Sequence, residues 1–134
     1  MDNKNLLFYK KQYLEYLEIE KNRSTKTIEN YNRYLTKFID FLEKKLNKNK
    51  EQLTLDDINQ ETVRAFRIYL NRLEIDNKNL KKITQNYYII SLRGFLKYLS
   101  KIGIECLSSE QIELAKVSRN EINVISFEEL ERLL

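Results

Sequence analysis

Between Asn77 and Gly103 the chain carries Lys78, Lys81, Lys82, Arg93, Lys97 and Lys101 and not one Asp or Glu. Cations without an internal counter-charge hold anions, and a row of them holds a polyanion such as a nucleic-acid backbone. Residues 21–50 form a second basic block, with nine bases against three acids. The other segments are acidic on balance, so the net charge of +4 understates how far positive charge is concentrated. Other chemistries are poorly supplied. There is no His and a single cysteine, Cys106, which rules out zinc-finger ligand sets, His-assisted nucleophiles and an internal disulfide. A phenol, with a pKa of about 10, attacks phosphorus only inside a cluster of cations and general acids. Tyr31, Tyr34 and Tyr98 therefore read as core or surface aromatics. No catalytic residue, metal ligand, cofactor or small-molecule substrate is expected in this chain.

The elements that must position these charges are helical. No proline, two glycines and 42% apolar residues in 134 positions suit one all-α domain. A first helix is expected from Asn5 to Glu20, burying Leu7, Tyr13, Leu14 and Leu17. Ser24 caps a second, running to about Lys45. Its core stripe is Ile28, Tyr31, Leu35, Phe38, Ile39, Leu42 and Leu46; Lys26, Asn30, Arg33, Lys37 and Lys44 form the opposing stripe. A polar connection over 47–58 leads to Asn59, the cap of a third helix with Val63, Phe66, Leu70 and Leu73 inward. Its Arg64, Arg67 and Arg72 lie among acids, so this helix reads as scaffold. After a loop from Glu74 to Leu80, the spacing predicts a fourth helix from about Lys82 to Lys101. Tyr88, Leu92, Phe95, Leu99 and Ile102 form its apolar stripe, with Asn86, Ile90, Arg93, Lys97 and Lys101 facing outward.

Past Gly103, Ser108 or Ser109 caps a short turn through Ile112 and Leu114. Ser126-Phe127-Glu128-Glu129 matches a capping box ahead of Leu130, Leu133 and Leu134. The expected organisation is a helical domain at 1–115 that binds a polyanion, an interdomain linker at 116–125, and the first helix of a following domain at 126–134. No signal-peptide pattern and no apolar run of about 18 residues is present, so a cytoplasmic protein without a membrane partner is expected.

The order of these pieces resembles the N-terminal core-binding domain of tyrosine recombinases, the phage-integrase and Xer-type family. The resemblance rests on YLEYLEIEKNRSTKTIENYNRYLTKFIDFL at 13–42, LTLDDINQETVRAFRIYL at 53–70, ITQNYYIISLRGFLKYL at 83–99 and ISFEELERLL at 125–134. Its most diagnostic parts are Ser24-x-x-Thr27-Ile28 with Tyr31, and Thr84-x-Asn86 followed by Leu92-Arg93-x-Phe95. It implies a compact SAM-like bundle of four to five helices that covers one side of a DNA duplex while a catalytic domain closes from the other. Implied contacts fall near Arg23, Ser24, Thr25, Lys26 and Thr27 on the second helix, and near Lys82, Thr84, Gln85, Tyr87, Tyr88 and Arg93 on the fourth. The charge pattern adds Arg33 and Lys97, and Thr25, Gln85 or Asn86 are candidates for touching base edges. Tyr88 lies on the apolar stripe as well. Many relatives carry arginine at the positions of Tyr87 and Tyr88, and the Asn-Pro common after the fourth helix is missing.

The function that the resemblance implies is that of a DNA-binding module of a site-specific recombinase, acting in DNA integration, excision or dimer resolution. Its partners would be double-stranded DNA and other recombinase protomers. The family's catalytic Arg, Lys, His, Arg and Tyr would lie after residue 134. The competing reading is a helical protein-interaction module in which exposed Ile90, Tyr34 and Phe41 form a docking surface.

Overall fold

The computed structural model describes residues 5–117. The chain forms α1 (Leu6–Ile19), α2 (Thr25–Leu46), 3₁₀ turns at Lys50–Gln52 and Leu55–Asp57, and α3 (Gln60–Arg72). A small hairpin of β1 (Glu74–Ile75) and β2 (Lys78–Asn79) comes next, then α4 (Lys82–Lys101) and a last 3₁₀ turn, Ser109–Gln111. The all-α expectation holds. Apart from Lys116 and Val117, the expected linker at 116–125 and the helix at 126–134 lie outside the described residues.

Local chemistry sets the helix ends. Asn5, Ser24 and Asn59 are extended N-caps whose side chains accept from the backbone N–H of Phe8, Thr27 and Thr62 at 3.0, 3.2 and 3.0 Å. Asn22, Asn47 and Gly103 come after α1, α2 and α4 with φ of 50°, 53° and 84°, the left-handed region that Gly and Asn enter at least cost. Past α4, the Gly103 N–H donates to the Ser100 carbonyl and the Ile104 N–H to that of Leu99, at 3.1 and 2.9 Å, closing a Schellman turn. Ile102, expected on the core stripe, is instead the C-cap and 44% exposed. The stretch expected as a loop from Glu74 to Leu80 holds the hairpin. Glu74 pairs with Asn79 and Ile75 with Lys78, and Asp76 and Asn77, both at positive φ, supply the two left-handed residues that its turn requires.

Packing turns two helices away from the expected faces. α1 buries Leu6, Tyr9, Tyr13 and Leu17, while Leu7 and Leu14 are half-buried. The larger tyrosine rings take the inward positions because they remove more apolar area from water. α4 is not two-faced. Its buried set includes Ile83, Asn86, Ile90, Leu92, Phe95, Leu96 and Leu99, spread around most of the helix circumference. The cause is the segment after Gly103, which runs back antiparallel to α4: Cys106 Sγ donates to the Leu96 carbonyl at 3.7 Å, and residue 115 reaches Asn86. Ile112 anchors this return in the core at 2% exposure. Asn86 Nδ2 donates to the Ala115 carbonyl at 2.9 Å, and the Ala115 N–H donates to Asn86 Oδ1 at 3.0 Å. Ile90, one turn on from Asn86, is 1% exposed.

Asn86→Ala leaves both backbone groups of Ala115 without their side-chain partner and should cost about 1–3 kcal/mol. Urea unfolding measures that loss, and hydrogen exchange should show the amide of Ala115 opening first. Unchanged exchange at Ala115 would mean that the core contact of Ile112 holds the segment by itself.

Candidate nucleic-acid interface

α2 and α4 lie antiparallel along a seam of aromatic contacts. Tyr34 stacks on Tyr87 with centroids 6.2 Å apart and planes at 9°. Two turns further along α4, a Cβ added at Gly94 would stand 3.9 Å from Tyr31 and 2.5 Å from the Tyr13 hydroxyl oxygen. Only glycine lets the α4 backbone come that near to α1 without displacement. The Tyr13 ring also meets Tyr16, Tyr31, Phe95 and Tyr98 at centroid distances of 5.4–6.3 Å. The start of α2 is thereby held beside the end of α4, and the α1–α2 turn, with Lys21 and Arg23, faces Lys97 and Lys101.

Together these residues line a cleft of about 180 Å³ whose walls are Tyr13, Tyr16, Tyr31 and Tyr98. Lys101 Nζ donates to the Tyr16 hydroxyl at 3.2 Å and lies 5.3 Å from that ring's centroid, with Lys21 Nζ at 5.9 Å. Burial pushes the Tyr31 phenol up to about 12, against the opposing pull of Arg23. Burial also raises Tyr13, reinforced by Tyr31 and Tyr16, and Tyr98, reinforced by Tyr16, Glu15 and Glu20. At neutral pH Tyr13, Tyr31 and Tyr98 therefore present protonated hydroxyls, not phenolates.

Further along the seam Lys26 and Arg33 are exposed on α2, and the Arg33 guanidinium lies 5.1 Å from the Tyr34 ring centroid. Among the described residues, Lys21, Arg23, Lys26, Arg33, Lys97 and Lys101 form no ion pair. Cations elsewhere are committed to the scaffold: Lys48 to Asp57 at 2.9 Å and Lys50 to Asp40 at 2.6 Å. Arg67 is half-buried, its pKa lowered by desolvation with Glu113 opposing.

The residues singled out from the sequence occupy different environments. Ser24, Thr25 and Lys26 are exposed at the first turn of α2; Ser24 and Thr27 are joined at 3.0 Å by their hydroxyls. Arg23 and Lys97 both line the cleft. Thr84 and Tyr87 are half-exposed near the start of α4, and exposed Lys82 donates to Asn71 Oδ1 at 2.8 Å. Gln85, 8% exposed, donates to the same oxygen at 3.3 Å and to the Leu80 carbonyl at 3.0 Å. Asn86, 4% exposed, is spent on Ala115. Both amides thus brace the fold from within, a placement that does not suit base contact. Arg93 is half-exposed, its Nε buried without a hydrogen-bond partner. Tyr88 packs on Tyr34 and Phe66 at 4.8 and 6.4 Å. Lys21 and Lys101 were absent from the expected contact set; only the tertiary approach of the two helix ends reveals them. Ile90 and Tyr34, expected to be exposed in a protein-docking surface, are 1% and 8% exposed, which leaves half-buried Phe41 alone of that trio.

Residues 11–103 match the family described as "Phage integrase, N-terminal SAM-like domain". The chain is 30% identical over 132 residues to "Tyrosine recombinase XerC" of Anoxybacillus flavithermus, covering 96% of this chain and 40% of that protein. It is 32% identical over 127 residues to "Tyrosine recombinase XerC" of Syntrophus aciditrophicus, covering 92% and 39%. Identity to "Tyrosine recombinase XerA" of Saccharolobus solfataricus is 29% over 114 residues, covering 81% and 34%. The chain thus spans about two fifths of the length of the curated relatives it matches. No solved structure matches it. Among the described residues, no helix is long and apolar enough to cross a membrane.

The tyrosine walls carry a pH signature. An unfolded chain releases phenolic protons near pH 10, before the folded protein does, so the stability due to neutral Tyr31 is complete below that pH and is lost as pH rises through about 12. Tyr31 should remove about 1.4 kcal/mol per pH unit in that window. Urea melts at about pH 9 and about pH 11, with phenolate absorbance followed in parallel, check this. Equal midpoints would show that these phenols are not shielded from water.

Proposed function

Because the chain belongs to the family of phage-integrase N-terminal SAM-like domains, we propose that it is the DNA-binding module of a site-specific tyrosine recombinase. In this reading it covers one side of the duplex at the recombination site. The observation that carries the reading is the α2–α4 seam, where Lys26, Arg33, Lys97 and Lys101 stand exposed without carboxylate partners while Lys48 and Lys50 are neutralised elsewhere. Helix periodicity places Lys26 and Arg33, and likewise Lys97 and Lys101, about one to two turns of 5.4 Å apart. The one-turn spacing of Lys97 and Lys101, about 6 Å, lies within the Debye length of about 8 Å at physiological salt, so their fields add on a nearby phosphate; Lys26 and Arg33, about 10.5 Å apart, act on separate phosphates.

Phosphate contacts fix register and base contacts specify sequence. Arg23, Lys26, Arg33, Lys82 and Lys97 are assigned here to the phosphates, with Arg93 at the edge of the surface. Thr25, exposed at the first turn of α2, and half-exposed Thr84 and Tyr87 are the groups proposed to reach bases or sugars. Gln85 and Asn86 are left out because their amides are engaged internally. Strand cleavage is assigned to a part of the recombinase outside this chain, which has no His to serve as a general acid or base. Other protomers and a cytoplasmic setting belong to the same proposal.

The chain should bind duplex DNA with little sequence preference. If four to six phosphates are neutralised, the log–log salt slope should be roughly −4 to −5. Lys26→Glu with Arg33→Glu should weaken binding at least about tenfold, or about 1.4 kcal/mol. Arg64→Glu with Arg72→Glu makes the same charge change at exposed positions of α3 and should do much less. Equal losses in fluorescence-anisotropy titrations would show a diffuse charge effect and remove the seam as the docking face.

A suicide substrate should yield no tyrosyl–DNA adduct with this chain on a denaturing gel. An adduct would place the chemistry here after all.

A further inference from the structure

The cleft between the α1–α2 turn and the end of α4 has features that general backbone binding does not require. Its cations come from different elements: Lys21 and Arg23 from the turn, Lys97 and Lys101 from α4. Two of them converge on one ring, Lys21 at 5.9 Å and Lys101 at 5.3 Å from the Tyr16 centroid. Glu15 and Glu20 lie close enough to influence Tyr98, yet neither forms an ion pair with the four cations among the described residues. The positive charge is therefore left for a ligand to neutralise.

Size narrows the ligand. Sites for whole drug-sized molecules run from about 300 to 1,000 Å³, whereas this cleft measures about 180 Å³. A cleft of this size admits one tetrahedral oxyanion with part of its hydration. The donors suit such an ion: ammonium and guanidinium groups supply charge-assisted hydrogen bonds, and protonated tyrosine hydroxyls can add neutral ones.

We propose that this cleft is a seat for one phosphate group, held by Lys21, Arg23, Lys97 and Lys101 against the Tyr16 ring. Occupied by a backbone phosphate, it would pin the duplex at the end of the seam; that assignment rests on the DNA-binding reading above. The seat itself does not, because a free phosphate offers the same oxyanion.

Titration with inorganic phosphate, followed by two-dimensional amide NMR against a chloride control of equal ionic strength, tests the seat directly. Shifts at Lys21, Arg23, Lys97 and Lys101 should saturate, and Lys97→Gln with Lys101→Gln should weaken the binding at least about fivefold. Lys44→Gln with Lys45→Gln, the same loss of charge at exposed positions away from the cleft, should leave it unchanged. Shifts that do not saturate, that chloride reproduces, or that both variants lose equally overturn the proposal.

A duplex arm identifies the source of the phosphate. If the seat takes a backbone phosphate, the Lys97→Gln, Lys101→Gln variant should lower the magnitude of the salt slope by about 0.9. A saturable phosphate site with an unchanged duplex slope supports a seat for free phosphate and rejects the backbone assignment. Failure of the unaltered chain to bind duplex sinks the DNA-binding reading, while the phosphate titration still decides the seat.

Discussion

The Tyr13 ring lies so near the α4 backbone that a Cβ on residue 94 would stand 2.5 Å from its hydroxyl oxygen. Close approach there lets Tyr13 pack against Tyr16, Tyr31, Phe95 and Tyr98 together, each contact worth about 0.5–1.5 kcal/mol beyond the area it buries. Helix propensity alone favours alanine over glycine by about 1 kcal/mol. Overpacking a filled core costs about 1–3 kcal/mol, so at this position packing outweighs propensity. One consequence is functional geometry. With α1 held against the second half of α4, the turn carrying Lys21 and Arg23 has no other place than beside Lys97 and Lys101.

A second aromatic group does similar work farther along. Phe66 of α3 touches Phe38, Phe41, Tyr69 and Tyr88, and Tyr88 passes the contact to Tyr34. Tyr34 in turn stacks on Tyr87 and lies beneath Arg33. Core and surface are thus joined through a continuous series of rings, so the exposed guanidinium rests on a buried platform. An ordered platform reduces the rotamer entropy that Arg33 would lose on meeting a phosphate.

Charge is divided along the same lines. Where Lys48 and Lys50 meet Asp57 and Asp40, acids and bases close the connection between α2 and α3. Exposed pairs of this kind add little stability each, but they withdraw those cations from the outward field. Along the α2–α4 seam no carboxylate does so among the described residues. A modest net charge of +4 is therefore compatible with a strongly positive strip, because the acids are placed elsewhere.

Much of the fold was legible locally. Caps at Ser24 and Asn59, the start and end of α4, and the inward set Tyr31, Leu35, Phe38, Ile39 and Leu42 result from side-chain chemistry within a few residues and from a 3.6-residue period. The basic stripe of α2 was legible for the same reason. The hairpin signal at Asp76-Asn77 was also local, but short strands without an apolar alternation give periodicity nothing to register. The family could be read because the order and spacing of several short motifs survive in the linear chain.

What only the tertiary structure decided is which sides of each helix are covered. Periodicity gives the phase of a helix, not the number of neighbours that reach it. α4 meets α1, α2, α3 and the returning segment, so Ile90 and Asn86, both phased outward, end at 1% and 4% exposure. The amide of Asn86 then satisfies buried backbone at Ala115, because a buried polar group without a partner is costly. The cleft was hidden for a related reason: Lys21 and Lys101 are 80 positions apart in sequence, and only the close packing of Tyr13 on Gly94 brings them to the same ring.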